Sequence, residues 1–276
     1  MRLAARQCAE IAERTRKCGA GQGWVCAKTH FFNTLARACA KVARKPRVAC
    51  PCCGWEGFAF FWLDCGRLCV PWAQCPGCLA QERQRFLHAY LTRNQALLPK
   101  EDGRVLLFAP EPPVANLLKG LPSPPFCVAS DYKRHEIIPT GFPGILSDMQ
   151  QLPFRDGSFD FVFCLHVLEH VKDDRRGLSE LVRILKPGGA AIIMVPFMMG
   201  QAETIEYPAP DPDMFDHVRG YSPLDFRERL VDFDYQEIYP PNVLSFEEIK
   251  RYQIPTDSQV IYYCRKKADK EPAKCW

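Results

Sequence analysis

Between Cys50 and Cys78 the chain reads CPCCGWEGFAFFWLDCGRLCVPWAQCPGC, seven cysteines in 29 residues. Cys50 and Cys53 form one C-x-x-C step and Cys75 and Cys78 a second, with 21 residues between them. Two sulfurs three positions apart on a tight turn can reach one ion. Two such turns supply the four thiolates of a tetrahedral zinc site, with Zn–S bonds of about 2.3 Å. Gly54 and Gly77 are expected to provide left-handed backbone beside the ligands, and Pro51 and Pro76 to stiffen both turns. Cys52, Cys65 and Cys69 compete as replacement ligands or as part of a second site. Four thiolates leave no open position for water or substrate, so the expected zinc is structural.

A second set of reactive groups follows a series of short apolar runs. Strand-like segments span 105–109, 126–130, 159–165, 190–195, 235–239 and 260–264, separated by helical patterns, and this alternation predicts a doubly wound α/β sheet. The clearest unit is a β-α-β crossover from Asp160 to Pro196. Asp173 or Asp174 caps its helix, Leu178, Leu181, Val182 and Leu185 form its apolar stripe, and Lys186-Pro187-Gly188-Gly189 closes it. Such sheets bind ligands beyond the carboxyl ends of their strands. At those ends stand Ala109-Pro110-Glu111, Asp131, Asp148-Met149 and the segment His166 to His170. An acid after the second strand suits the two hydroxyls of a ribose, and one after the third suits an adenine amine. Each acid alone is equally compatible with an ordinary turn or cap.

The stretch ILSDMQQLPFRDGSFDFVFCLHVLEHVKDDRRGLSELVRILKPGGAAIIMVPF resembles the class I S-adenosylmethionine-dependent methyltransferases, in their small-molecule, methyltransferase type 11-like branch. The resemblance extends over about residues 50 to 240. It includes members with an N-terminal CPxCG…CPxCG ribbon followed by an E-R-x-R helix, here Glu82-Arg83-Gln84-Arg85. It implies a Rossmann-like methyltransferase sheet with an N-terminal zinc-ribbon module of four cysteine ligands, and S-adenosyl-L-methionine as cofactor. Ala109, Pro110 and Glu111 would cradle its methionine part, Asp131 its ribose and Asp148-Met149 its adenine. Cys164, Leu165 and His166 would lie under the sulfonium. The chain departs from the family in lacking a G-x-G-x-G loop, with no glycine from Leu107 until Gly120. Backbone groups and a helix N-terminus are expected to hold the cofactor carboxylate instead. Thr204-Ile205-Glu206-Tyr207 stands where T-x-E-D is more typical. The resemblance places DHVR, residues 216–219, in a lid after the fifth strand.

Methyl transfer is an in-line displacement that needs alignment and, for many acceptors, removal of a proton. His217, oriented by Asp216, and His166 are the candidate catalytic residues. Glu169 and His170 are further candidate bases, but read first as caps of a short turn that pair with Lys172 or an arginine. Arg219 either anchors the lid through a carboxylate or grips an anionic substrate. Cys127, Cys164 and Cys264 fall in apolar strands and read as packing residues.

These groups need a folded scaffold, and the composition supplies one. Apolar residues are 47% and charged residues 25% of 276, which excludes a disordered or collagen-like chain. No apolar run reaches the roughly 20 residues that cross a bilayer. Fifteen cysteines with no cleavable secretory signal point to reduced thiols, a metal and a cytoplasmic setting. Three parts are expected: a basic helical arm over 1–49, a zinc-ribbon module over 50–80 and a methyltransferase domain over 81–276. The arm holds eleven Lys or Arg against Glu10 and Glu13, a net of +9 that leaves −5 for the rest of a chain at +4. Leu35, Ala36, Cys39, Ala40 and Ala43 give it helical spacing, and a solvated or partner-packed helix is preferred to an RNA contact, a membrane-surface contact or a presequence. Cys8, Cys18, Cys26 and Cys39 lack ligand-like spacing. From 81 to 98 a linking helix is expected, with Arg83, Arg85 and Arg93 on its polar side. The leading function is transfer of a methyl group to a small molecule, such as a saccharide or secondary metabolite. An RNA methyltransferase using the arm, and a non-catalytic zinc-binding scaffold, are the alternatives.

Overall fold

The computed structural model describes residues 2–18, 20–42, 46–65, 68–132, 140–211 and 214–267. Ala43, counted above in the arm's spacing, and the side chains of Cys18 and Cys65 lie outside what is described. The chain divides into two compact units. One comprises Met1–Ala89, Asp211–Asp216 and Leu244–Pro255, and the other Tyr90–Pro210, His217–Val243 and Thr256–Trp276.

In the first unit the basic arm is two helices, α1 (Arg2–Cys18) and α2 (Ala20–Val42), packed on each other. Strands β1 (Val48–Ala49) and β2 (Glu56–Gly57) pair antiparallel, as do β3 (Phe61–Cys65) and β4 (Leu68–Gln74). The second helix of the arm is packed on the cysteine-rich segment. Phe32 of α2 stacks on Trp62 at 4.0 Å, Asn33 exchanges two hydrogen bonds with the Trp62 backbone, and Thr29 Oγ1 lies 2.9 Å from Cys69 Sγ. That contact turns Cys69 toward α2, and Trp62 of the cysteine-rich segment is covered by Phe32 of the arm. Helix α3 (Glu82–Arg93) begins in this unit.

The structure corrects the polar placement of Arg85, which is wholly buried. Its guanidinium donates to the carbonyls of Ala73, Ala80, Tyr252 and Gln253 and stacks over Phe60 at 4.1 Å. A planar fork with five donors can satisfy several backbone oxygens that no lysine could reach together.

The second unit holds a seven-stranded sheet. Its strands are β5 (Arg104–Phe108), β6 (Phe126–Asp131), β7 (Gly144–Leu146), β8 (Phe159–Leu165), β9 (Leu185–Met194), β12 (Phe233–Ile238) and β13 (Ile261–Lys266). The order is β12-β13-β9-β8-β5-β6-β7. From β9 to β7 all neighbours are parallel, and β13 runs antiparallel between β9 and β12. The strand order reverses beside β5, which makes the carboxyl ends of β5, β6 and β8 the crevice where such sheets take ligands. Helices α4 (Pro112–Lys119) and α5 (Asp174–Ile184) belong to the crossovers, and β10 (Ile205–Asp211) and β11 (His217–Gly220) form a separate two-stranded ribbon.

Asp173 caps α5, its side chain accepting from the Arg176 amide at 3.0 Å, and Leu178, Leu181 and Ile184 enter the core with Leu106, Val162 and Ile193. Lys186 to Gly189 does not lie in a loop after the helix. It is a bulge inside β9, where the register shifts between Phe159↔Leu185 and Phe161↔Ala190.

Candidate active site and thiol cluster

Two turns with the same hydrogen bonds build the thiol cluster. The amide of Cys50 donates to Trp55 O at 2.8 Å and that of Gly54 to Cys50 O at 2.9 Å; the amide of Cys75 donates to Ala80 O and that of Leu79 to Cys75 O, both at 2.9 Å. The sulfurs of Cys50 and Cys78 lie 3.7 Å apart, as do those of Cys53 and Cys75, and all four lie within 4.8 Å of one another. Four sulfurs at about 2.3 Å from a common centre have edges of about 3.8 Å, so the donor set has the size of a tetrahedral zinc cage. Cys52 is outside this quartet, its thiol 3.7 Å from the Gln84 carbonyl. Gly54 takes the expected left-handed backbone, φ +72°, but at the matching place in the second turn it is Leu79 that does so, with φ +62°. Gly77 serves space instead, since a Cβ there would sit 3.1 Å from Trp55 Cβ and 3.2 Å from Cys53 Sγ.

At the sheet edge, β5 passes to α4 through Ala109, whose φ of +41° turns the chain while its amide donates to Ser130 O at 2.9 Å. Three of the next four residues, Pro110, Pro112 and Pro113, have no N–H, and the first amides of α4, Val114 and Ala115, donate to Glu111 O. The expected helix N-terminus is therefore present but offers few free amides. Asp131 ends β6 half-buried, with its carbonyl accepting from Ser147. Asp148 is exposed and its carboxylate accepts from the backbone and side-chain nitrogens of Gln150 at 2.8 to 3.2 Å. Met149 is buried against Gly177 of α5, and Cys164 is sealed in the core, where burial pushes its thiol up. The side chains of Met149 and Cys164 are thus packing groups, and only their backbone can face a ligand.

After Leu165, which is buried, His166 takes a left-handed backbone with φ +53°, its Nδ1 3.5 Å from Oε1 of the buried Glu169. Glu169 and His170 belong to a single 3-10 turn, Leu168–His170. His217, the first residue of β11, brings its ring edge to His170 at a centroid distance of 4.8 Å, and donor atoms of Glu169, His170 and His217 all lie within 4.8 Å of one another. Glu169 is buried, and its carboxylate lies close to the imidazoles of His166, His170 and His217. Asp216 is exposed in a left-handed turn, φ +62°, with its amide on Asp211 O.

Arg219 explains how the ribbon is held to the turn. It is 3% exposed, and Nε donates to both oxygens of Glu206 at 3.0 Å, Nη1 to the carbonyls of Leu168 and Val171, and Nη2 to that of Lys172. Every nitrogen of the fork is engaged by protein, so Arg219 is an anchor and not an anion receptor. Thr204 is fixed to Asp225 through both its amide and hydroxyl.

Residues 123–193, from just before β6 to the last residue but one of β9, match the model of a family described as a methyltransferase domain. A demethylmenaquinone methyltransferase from Corynebacterium glutamicum is 39% identical over 67 residues, 23% of this chain and 29% of that protein. An uncharacterized methyltransferase from Bacillus subtilis is 24% identical over 111 residues, 38% of this chain and 39% of that one. The matched part thus spans well under half of either relative. In fold, an S-adenosylmethionine-dependent methyltransferase from Mesorhizobium loti superposes with a TM-score of 0.50 and 14% identity, over 65% of this chain and 98% of that one.

Within the second unit the juxtaposition of Glu169 and His170 with His217 is what sequence reasoning missed. Its only trace was the alternation of charged and imidazole residues in LEHVKDD and FDHVRG, two segments 47 positions apart at His170 and His217.

Proposed function

We propose that the chain is an S-adenosylmethionine-dependent methyltransferase acting on a small organic acceptor. The observation that carries this reading is Asp131 at the carboxyl end of β6, next to β5 where the strand order reverses, inside the segment that matches a methyltransferase domain. A half-buried carboxylate there can accept both hydroxyls of a ribose. Asp148, exposed and only partly committed to Gln150, is the second nucleoside contact. The turn from Ala109 to Pro113 lets a ligand approach the end of β5 but offers few amide donors, so the nucleoside end carries more of the binding than the methionine end.

When bound, the cofactor supplies an electrophilic methyl group on a sulfonium. The chain's own task is to hold the acceptor in line and to handle its proton. His166 at the end of β8, with Glu169, His170 and His217 beyond it, is the group of residues suited to that task, and His217 is the side chain whose loss should matter most. One partial relative is by name a demethylmenaquinone methyltransferase, which supports a small organic acceptor here. The four thiols Cys50, Cys53, Cys75 and Cys78 hold a structural zinc in this reading, a closed site that takes no part in the chemistry.

Calorimetry with S-adenosylmethionine and its demethylated product tests the proposal. Binding is expected for both, and Asp131→Ala should weaken it by about 1 to 3 kcal/mol, the usual loss when a charged hydrogen-bond partner is removed. Absence of binding by the zinc-loaded protein would leave the scaffold reading in its place.

A further inference from the structure

We propose that the outward face of α2 docks the protein on an anionic lipid surface. A helix turns about 100° per residue, so Trp24, Phe31 and Leu35 fall within about 40° of one another on one stripe. They are 71%, 63% and 47% exposed, on a helix whose other sides are occupied. Opposite the stripe Cys26 is buried, Thr29 reaches Cys69 and Asn33 bonds the Trp62 backbone. On one flank α1 comes so close that a Cβ at Gly23 would overlap Thr15, and Glu10 pairs with His30 at 3.2 Å. The stripe is therefore not the seam between the arm and the rest of its unit. A row of large apolar side chains left in water marks a surface that meets something else.

Charge indicates what it meets. Helix α2 carries Lys28, Arg37 and Lys41 and no acid, within an arm of net +9. Lys28 is exposed at the edge of the stripe, its ammonium 5.4 Å from the centre of the Trp62 ring. Two acids of this unit are taken up elsewhere, Glu10 by His30 and Asp64 by Arg14 at 3.1 Å. A second copy of the chain would set one +9 arm against another. An RNA would use the cations and the rings but has no use for Leu35. A bilayer containing anionic lipid uses all of them, since the apolar stripe enters the boundary between headgroups and acyl chains while the cations meet the phosphates. Tryptophan suits that depth, with an apolar ring body and an N–H for its wet side.

The geometry fits a surface contact. Among the described residues no helix is long and apolar enough to cross a membrane. From Trp24 to Leu35 the axis covers about 16 Å, so the three side chains reach a bilayer together when the helix lies flat. Phe31 stands edge-on to Phe32 at 5.4 Å, and Phe32 is stacked on Trp62. The stripe thus rests on a packed base and has little order to gain on docking.

Co-sedimentation of the full, zinc-loaded chain with vesicles tests the proposal, comparing phosphatidylcholine alone with phosphatidylcholine mixed with phosphatidylglycerol. The anionic vesicles should bind about tenfold more tightly, and the preference should shrink as salt is raised, because exposed charges are screened. The double variant Trp24→Ala, Phe31→Ala should lose about tenfold or more in vesicle affinity at an unchanged melting temperature, because these side chains leave water only at the bilayer. Equal binding to neutral and anionic vesicles, or undiminished binding by the double variant, overturns the proposal. So does a dimer that the double variant dissolves, or capture of polyuridylate with no binding to vesicles.

Discussion

The thiol cluster and the imidazole cluster both gather donor atoms within 4.8 Å, but the chain reaches them by opposite routes. Each half of the thiol cluster is closed by its own turn, with hydrogen bonds that span five residues and repeat from Cys50 to Cys75. Nothing beyond the turn is needed to bring two sulfurs together. The imidazole cluster has no such local unit. His217 meets His170 because β11 follows β9 and because Arg219 reaches three backbone carbonyls across the gap, those of Leu168, Val171 and Lys172. A local site fails when a ligand is lost, whereas a site built by topology also fails through its staples.

The largest effect should come from Cys75→Ser, which breaks the local route. Zinc binding contributes about 10 to 16 kcal/mol to the folding of small structural sites. The variant should lose its zinc and, by hydrogen exchange, lose protection around Phe60 and Ala80, while amides of β5, β8 and β9 stay protected. Retention of zinc together with that protection would mean that Cys52 can replace Cys75, and the two turns would not be equivalent.

Next in size is His217→Ala in the topological site. Turnover should fall by about 10² to 10⁴ with cofactor affinity nearly unchanged, since the loss falls on the transition state and not on the nucleoside. Equal turnover at saturating cofactor and acceptor would reduce the imidazoles to packing groups and leave alignment as the whole mechanism.

The same contrast governs what could be read before the fold was known. The C-x-x-C spacing, the crossover with its Asp173 cap and the strand-end acids are short-range patterns, and each lies in the structure where the spacing put it. What escaped depends on partners far along the chain. Arg85 looks like a surface residue because a charge in a helix usually is one; its burial follows from carbonyls at Ala73 and Ala80 beside the second knuckle and at Tyr252 and Gln253 much later. Strand β7 is only Gly144–Leu146, too short to show alternation, and β10 carries prolines and acids that mask its period. Glu169 reads as a cap in isolation and becomes a buried acid only when β11 covers it.

The smallest effect sharpens the comparison from inside the thiol cluster. The two knuckles share their hydrogen bonds, yet the left-handed position is glycine in the first, Gly54, and leucine in the second, Leu79, at φ +72° and +62°. For a residue with a Cβ this conformation costs roughly 1 to 2 kcal/mol, and glycine gives back about 0.5 to 1 kcal/mol through its greater freedom in the unfolded chain. Leu79 is 59% exposed, so removing its side chain forfeits little apolar burial. Leu79→Gly should therefore stabilise the first unit by about 0.5 kcal/mol, seen as a small rise in melting temperature and slower release of zinc to a chelator. Gly54→Ala should do the reverse, at about 1 kcal/mol, because a Cβ at Gly54 has nothing within 4 Å to clash with and the backbone strain acts alone. If Leu79→Gly destabilises instead, the leucine is contributing contacts that outweigh its strain, and the second knuckle is not a self-contained copy of the first.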